Sequence, residues 1–267
     1  MKKIKFYVIL FSLLTIFFFY GAYIYGHSAF LPSGESLQVP HLNHILGTDN
    51  LGIDIYAQIS NGFFRSMCIG IITAIFASIL GGVLGIISGY VGGKFDHVVI
   101  FLINVFLSVP QLPIMIVIGA FFGQSTWNII LIIAAFSWAQ IAKQLRAKVI
   151  SIKDREYIKL AKSYGGSTFY IIIKHLSRDI SPLLMINGIA VIGKSIIQES
   201  SLAYLGLSDP TAKSWGLMIS KATSFSGIYF SEFWKWWLMP PIFSLIISVL
   251  ILRLFSRALE QYLLGGE

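Results

Sequence analysis

Six long apolar runs constrain the fold of this chain more than any other feature of its sequence. They cover residues 6–25, 66–90, 98–122, 127–142, 183–205 and 237–258. A helix needs about 20 apolar residues to cross a bilayer, and the run at 127–142 is the shortest of the six. Every backbone polar group of a spanning segment must be hydrogen-bonded within the protein, so we expect helices rather than strands. The sequence therefore predicts an all-α polytopic membrane protein with six transmembrane helices.

The first run follows Lys2, Lys3 and Lys5 and so begins like a signal peptide. It is about 20 residues long, however, whereas the core of a signal peptide has ~7–15, and it is long enough to span a bilayer. We therefore expect it to be a retained transmembrane helix. This predicts an N-terminal part, residues 1–65, with one helix and an outer segment, and a core of five helices over residues 66–267.

The distribution of positive charge predicts the orientation. Six spans place both termini on one side, and fifteen of the twenty Lys and Arg residues fall on that side. Four lie on the other side, and Lys194 lies inside the fifth run. Excess Lys and Arg mark cytoplasmic loops, so we expect cytoplasmic termini and a cytoplasmic connector at residues 143–182. This placement accounts for the net charge of +8 without nucleic acid as a partner.

Two features predict the geometry of individual spans. In the second run a small residue recurs at every fourth position, which gives one face of bare backbone for close packing against another helix. These residues are Ala77, Gly81, Gly85, Gly89 and Gly93. In the third run, Pro110 and Pro113 remove backbone donors and predict a kink.

The segment GIAVIGKS, residues 188–195, matches the phosphate-loop pattern G-x-x-x-x-G-K-[ST]. In such a loop, backbone N–H groups and the Lys hold phosphates. The four intervening residues here are Ile, Ala, Val and Ile, whereas a curled anion nest requires small, flexible ones. The segment also lies inside an apolar run. We interpret it as part of the fifth transmembrane helix, with a membrane-anchored nucleotidase as the alternative.

That interpretation leaves Lys194 near the middle of the membrane, where a cation costs at least about 2.5–3.5 kcal/mol. Such a residue faces a bundle interior or a watery pathway. Glu199 is five residues further on, about 140° around the helix axis, so it does not share a face with Lys194. We expect Lys194 to meet Gln198, a partner helix or the substrate route. Pairing within the bundle and lining of a pathway both stay open for Lys194, Gln198 and Glu199.

The connector contains a predicted amphipathic helix. Tyr157, Leu160, Ala161 and Tyr164 recur at spacings of three and four residues and form one apolar face. Two glycines beginning at Gly165 follow, in the position that ends a helix. Such a helix either packs on its own bundle or docks into a groove of a partner. The pattern alone leaves both possibilities open.

Four stretches, in order along nearly the whole chain, resemble the binding-protein-dependent ABC transporter permeases. The closest resemblance is to the second permease of the dipeptide/oligopeptide/nickel importers, which implies a type I importer fold. The stretches are LGTDNLGIDIYAQISNG (46–62), EYIKLAKSYGGSTFYIIIKH (156–175, the EAA coupling loop of that family), ESSLAYLGLSDPTAKSWGLMI (199–219), and Pro240 with the apolar helix that follows it.

The chain also departs from the pattern of that family. Lys159 stands where the family has an acidic residue, and Leu160 stands where it has an alanine. Ser-Arg-Asp at 177–179 replaces the Leu-Pro-Asn that closes the loop, and Ile53 replaces an arginine. These departures predict that the charge complementarity of the docking helix differs from that of the family.

The resemblance implies a transport subunit without covalent chemistry and without a cofactor of its own, in a bacterial cytoplasmic membrane. It implies four kinds of partner: a second, homologous permease, two cytoplasmic ATPase subunits that bind ATP and Mg²⁺, an extracytoplasmic substrate-binding protein, and the lipid bilayer. The residues implied at the ATPase contact are Glu156, Tyr157, Leu160, Ala161, Tyr164 and Gly165. Those on the side of the binding protein are Thr48, Asp49, Asp54 and Trp215. The first three of these are also predicted helix N-caps.

The substrate is not fixed by the sequence, because a peptide, nickel or another metal chelate fits the family. His27, His41 and His44 raise the possibility of an entry site for nickel, since histidine is a common metal ligand. An H-x-x-H spacing alone is a weak signal, and we expect no metal site. A stand-alone channel is the remaining alternative.

Overall fold

The structure, a computed structural model, describes residues 2–263 and residue 265. Within that range it contains ten α-helices and no strand. The helices are α1 (Lys2–Phe19), α2 (Ile55–Val91), α3 (Gly93–Ser108), α4 (Gln111–Phe122), α5 (Thr126–Ile152), α6 (Glu156–Ser163), α7 (Thr168–Ile171), α8 (Ser177–Tyr204), α9 (Trp215–Ser224) and α10 (Met239–Leu263). Five helical segments are long and apolar enough to span a membrane, and α3 with α4 forms a bent sixth candidate. The predicted all-α, multi-pass fold is confirmed.

The third span is broken at the predicted prolines. α3 and α4 meet at an angle of 91°. Val109 is extended, with φ −86° and ψ 136°, because a residue that precedes proline is disfavoured in the helical region. Pro110 then caps α4, whereas Pro113 lies in the first turn of that helix, where its missing N–H leaves no helical bond unmade. Pro110 therefore produces the break, and Pro113 is accommodated beside it.

Two spanning helices extend well beyond their apolar runs. α2 begins at Ile55 and α5 continues to Ile152, whereas the sequence placed these limits at 66 and 142. The added turns of α5 are amphipathic: Leu145 and Val149 are completely buried, while the intervening positions carry the charges. A search for continuous apolar runs does not detect a helix that buries only one stripe.

The small residues of α2 pack directly on the backbone of α5. A Cβ atom on Gly81 would lie 2.5 Å from the carbonyl oxygen of Trp138, and one on Gly85 would lie 2.6 Å from that of Ala142. No side chain fits at those distances, so the predicted close helix contact is confirmed. Gly93 was wrongly included in this face, because it begins α3 with a positive φ of 63° and has open space around it.

The two ends of the bundle are distinguished by the short helices that lie there. We call them the α6 end (residues 153–182) and the α9 end (residues 26–54 and 205–238). An aromatic cluster fills the bundle close to the α9 end. The rings of Phe18 and Phe63 stack with centroids 4.7 Å apart, and Trp215 is completely buried beside both.

Candidate functional site

Ile158 holds α6 on the bundle. Its side chain is 2% exposed and packs in a buried cluster with Ile152, Ile171 and Leu176. Ala161, one turn later in α6, packs against the edge of the same cluster. Ile158 was not predicted from the sequence, because it lies off the aromatic face of the helix. Its three-residue spacing from Ala161 was the only available signal.

The opposite side of α6 is open. Tyr164 is 88% exposed and Leu160 is 56% exposed, and the two lie one turn apart on one face of the helix. The prediction of one continuous apolar face was wrong in this respect, because Ala161 turns toward the bundle with Ile158 while Leu160 and Tyr164 turn away. Large apolar groups exposed on one face of a short helix make that face a candidate interaction surface. We call Leu160 and Tyr164 the docking face.

Gly165 ends α6 as predicted. Its φ is +79°, in the left-handed region that favours glycine. The N–H of Gly165 donates to the carbonyl oxygen of Lys162 at 3.1 Å, and the N–H of Gly166 donates to that of Ala161 at 3.0 Å. This pair of bonds is a Schellman motif, which satisfies the last carbonyls of the helix and turns the chain sharply.

Tyr157 joins α6 to the start of α8. Its hydroxyl donates to Asp179 Oδ2 at 2.8 Å, and Arg155 lies 3.7 Å from the same carboxylate oxygen. Burial, together with the bond to Asp179, raises the pKa of the Tyr157 phenol. A cleft of about 450 Å³ lies beside Tyr157 and is also lined by Arg155, Lys174, His175, Arg178 and Asp179. Asp179, the last residue of the stretch that departs from the family at 177–179, is therefore the hydrogen-bond partner of α6.

Lys194 reaches across the bundle to the bend in the third span. Its Nζ donates to Gln111 Oε1 at 2.8 Å, and Gln198 Nε2 donates to the same oxygen at 3.3 Å. Lys194 and Gln198 are four residues apart and share a face of α8, as expected. Gln111 is the first residue of α4, and the sequence analysis did not single it out.

Glu199 lies on a different side of α8, as predicted. It is completely buried, and its Oε2 accepts long hydrogen bonds from Ser66 at 3.5 Å and Ser200 at 3.4 Å. It therefore links α8 to α2, whereas Lys194 links α8 to α4. The two groups act in different parts of the bundle.

Residues 188–195 form no loop. They lie in the middle of α8, which is continuous from Ser177 to Tyr204. The N–H groups inside a helix are engaged with carbonyl oxygens four residues earlier and are not free to hold phosphates. The structure therefore does not favour the nucleotidase alternative.

At the α9 end, Asp54 is the one predicted cap that caps a helix. Its Oδ1 accepts from the N–H of Ala57 at 2.8 Å, at the start of α2, and its Oδ2 accepts from His44 Nδ1 at 2.7 Å. Thr48 was wrongly predicted to cap, because its hydroxyl donates to the carbonyl oxygen of Glu35 at 2.6 Å. It ties two parts of the outer segment together instead.

Asp49 also folds the outer segment rather than capping a helix. Its Oδ1 accepts from the N–H groups of Leu51 at 2.8 Å and Ile53 at 3.0 Å, which closes a turn. Its Oδ2 accepts from Gln58 at 2.8 Å, and Gln58 accepts from Lys213 at 3.1 Å. Burial lowers the pKa of Lys213. This chain of bonds fixes the outer segment to the loop before α9.

None of the four residues assigned to the binding-protein side offers an open surface. Thr48, Asp54 and Trp215 are completely buried, and Asp49 is nearly so. The Trp215 Nε1 donates to a carbonyl oxygen of α2 at 3.0 Å. These residues stabilise the interior of the α9 end and do not form its surface.

Two apolar side chains at the α9 end are almost fully exposed. Leu42 is 99% exposed and Phe230 is 94% exposed. Neither residue was singled out from the sequence, because a lone leucine or phenylalanine in a loop carries no pattern.

His27, His44 and Asp54 come together at the α9 end, with ligand atoms within 4.8 Å of one another. This grouping was not expected, since the sequence analysis predicted no metal site. Both Asp54 oxygens already accept hydrogen bonds, one from His44 and one from Ala57. The His44–Asp54 pair thus braces the first turn of α2, and this bracing is sufficient reason for its burial.

Comparison with known proteins identifies the family. The family described as "Binding-protein-dependent transport system inner membrane component" matches residues 81–264. The chain is 26% identical over 226 residues to the probable D,D-dipeptide transport system permease protein DdpC of Escherichia coli K12, covering 84% of this chain and 74% of that protein. It is 28% identical over 248 residues to the dipeptide transport system permease protein DppC of Bacillus subtilis, covering 91% and 75%.

A third relative is the dipeptide transport system permease protein DppC of Lactococcus lactis subsp. cremoris. It is 31% identical over 210 residues, which cover 78% of this chain and 59% of that protein. The family match covers more than half of the chain and includes every spanning helix from α3 to α10. The chain therefore belongs to the binding-protein-dependent transport system inner membrane components, and it is a multi-pass subunit with the all-α fold of a type I ABC importer permease.

Proposed function

We propose that this chain is one of two permease subunits of an ABC importer that moves dipeptides or other short peptides across the cytoplasmic membrane. All three relatives are named as dipeptide or D,D-dipeptide permeases. Their names support a peptide as the substrate rather than nickel or another metal chelate. In this proposal the chain performs no chemistry, and two ATPase subunits bind ATP and Mg²⁺.

The observation that carries the proposal is the way in which α6 is attached to the bundle. Ile158 fixes the helix to the bundle, while Leu160 and Tyr164 of the docking face project away from it. A groove on an ATPase subunit accepts such a face in the way that other grooves accept amphipathic helices. A helix that is both anchored and docked passes a movement of one body to the other.

The charges support an orientation with the α6 end and both termini in the cytoplasm. Fifteen of the twenty Lys and Arg residues lie on that side, and cytoplasmic loops carry such an excess. The α9 end then faces outward, where Leu42 and Phe230 are open to a substrate-binding protein. We propose that Leu42 and Phe230 contact the substrate-binding protein. The buried Thr48, Asp49, Asp54 and Trp215 hold the surrounding loops in place.

Transport then follows an alternating-access cycle. ATP binding closes the two ATPase subunits and shifts α6, and the spans open toward the α9 end to take substrate from the binding protein. Hydrolysis reverses the movement and opens the pathway to the cytoplasm. Import depends on the ATPase subunits and on the binding protein, because this chain provides only the passage. The ATPase subunits provide the energy, and the binding protein delivers the substrate.

Reconstitution tests the proposal. The chain, its second permease and the two ATPase subunits are placed in liposomes, and uptake of the dipeptide Ala-Ala is measured with and without ATP and binding protein. We expect uptake only when both are present. Uptake without the ATPase subunits would instead indicate a channel, and ATP hydrolysis by the purified chain alone would indicate a nucleotidase.

A further inference from the structure

A cavity of about 380 Å³ opens between α5, α8 and α10. Its walls combine apolar residues with polar and charged side chains from all three helices. The amide and charged side chains among them are Gln140, Asn187, Lys194, Arg253, Arg257 and Glu260. Lys194 lies inside a membrane-spanning helix, where an ionisable residue faces a bundle interior or a water-filled route. The three charged residues of α10 are exposed and open into the same space.

The charge of this cavity is unbalanced. Three cations line it against one acid, Glu260. The Lys194 ammonium donates to a neutral amide oxygen, Gln111 Oε1, at 2.8 Å. Among the residues that the structure describes, neither Arg253 nor Arg257 takes part in an ion pair. The cavity therefore keeps positive charge that its own walls do not neutralise.

The neutral part of the wall is ordered. Asn187 is 8% exposed, and its Nδ2 donates to Gln144 Oε1 at 2.9 Å and to the carbonyl oxygen of Leu183 at 2.9 Å. These bonds hold the amide of Asn187 at the cavity margin. A fixed amide beside cations that have no acidic partner among the described residues suits a small ligand that carries both peptide-like groups and negative charge.

We propose that this cavity binds a carboxylate of the transported substrate, with Lys194 and Arg253 as the recognising cations. The inference rests on the proposed transport function and adds the chemical class of the group that the passage selects. An arginine and a lysine suit a carboxylate, because hydrogen bonds between charged groups are about twice as strong as neutral ones. The carboxylate is either the C-terminus of a peptide or part of a carboxylate-bearing metal chelate.

The test uses the complete complex in liposomes, with binding protein saturated by each probe in turn. The peptide arm compares Ala-Ala with Ala-Ala amide, and the chelate arm compares nickel–histidine with nickel–histidinamide. The variants are Lys194→Gln and Arg253→Gln, with Lys194→Arg as the charge-preserving form. Lys94→Gln is the matched control, because it removes an exposed cation outside the cavity.

We expect the ratio of acid to amide uptake to be at least about tenfold in the wild type, the size of a hydrogen bond to a charged group. It should fall toward one in Lys194→Gln and in Arg253→Gln, and stay high in Lys194→Arg and Lys94→Gln. The arm that shows the loss identifies which molecule carries the carboxylate. If Lys194→Gln fails to assemble, the uptake ratio of Arg253→Gln, whose side chain is exposed, decides the test.

An unchanged ratio in the assembled cavity variants would overturn the inference, as would a wild-type ratio near one with ATP-dependent uptake intact. The proposed function would stand in either case. Absence of ATP-dependent uptake for all four probes would overturn the proposed function and this inference together.

Discussion

Tyr157 donates a hydrogen bond of 2.8 Å to Asp179 and thereby joins α6 to the first turn of α8. Removing the hydroxyl in Tyr157→Phe leaves the ring in place but breaks this link. We expect the complex to assemble and uptake per ATP hydrolysed to fall several-fold. Asp179→Asn, which keeps an acceptor, should have the smaller effect. Parallel measurement of uptake and ATP hydrolysis checks this, and equal coupling ratios in all forms would contradict it.

The same bond has a predicted pH dependence. The pKa of the Tyr157 phenol is raised above its ordinary value by burial and by Asp179. The neutral phenol is the donor, so the link is fully present below the ordinary tyrosine pKa of about 10 and is lost only as pH rises through the raised value. Coupling in the wild type should therefore differ from that of Tyr157→Phe throughout neutral and mildly alkaline pH. A titration of coupling between pH 7 and 9 that converges on the variant would refute this.

Tyr164→Asp should abolish binding of the ATPase subunits. The side chain is 88% exposed, so a carboxylate there does not disturb the bundle, but it places a charge in the groove of the partner. Co-purification on a tagged permease measures the effect. Tyr164→Phe is the matched control and should bind normally, and full recovery of the ATPase with Tyr164→Asp would rule out the docking face.

Gly85→Ala should destabilise the bundle by about 1–3 kcal/mol, the usual cost of overpacking. Its Cβ would lie 2.6 Å from a carbonyl oxygen of α5, whereas a Cβ on neighbouring Gly82 meets nothing nearer than 3.6 Å. Gly82→Ala is therefore the control, and it should be neutral or slightly stabilising because alanine favours helix. Thermal unfolding in detergent measures both. Equal melting temperatures would count against the close contact.

The variant Gly188→Ala distinguishes between a helix and a phosphate loop at residues 188–195. The nearest atom to the added Cβ is Ser78 Oγ at 3.5 Å, so the methyl group fits. A helix tolerates this change, and ATP-driven uptake should be unaffected. A phosphate loop that depends on this glycine would lose nucleotide affinity. Uptake by the assembled complex and nucleotide binding by the purified chain alone decide between the two.

Most of the fold could be predicted from the sequence, because an apolar segment in lipid must form a helix to satisfy its backbone hydrogen bonds. The break at Pro110 and the end of α6 at Gly165 were also predictable, since each depends on a local backbone rule. The length of α5 was not, because Leu145 and Val149 form a buried stripe among charged residues.

Residues of the candidate site were predictable only where the neighbouring sequence itself makes them conspicuous. Lys194 is conspicuous inside an apolar run, but its partner Gln111 becomes visible only when the bend of the third span brings it close. In α6 the rings of Tyr157 and Tyr164 dominated the pattern, and Ile158, which anchors the helix, was missed. Which side of a two-turn helix faces inward depends on the rest of the bundle.

The backbone contact between α2 and α5 has a mechanical consequence. Because these two helices touch through glycines, with no side chains between them to deform, we expect them to tilt together as one stiff body. α5 ends three residues before α6, and α2 has 37 residues, or about 55 Å at 1.5 Å per residue. We therefore expect a small displacement at the α6 end to be carried along this pair of helices to the α9 end.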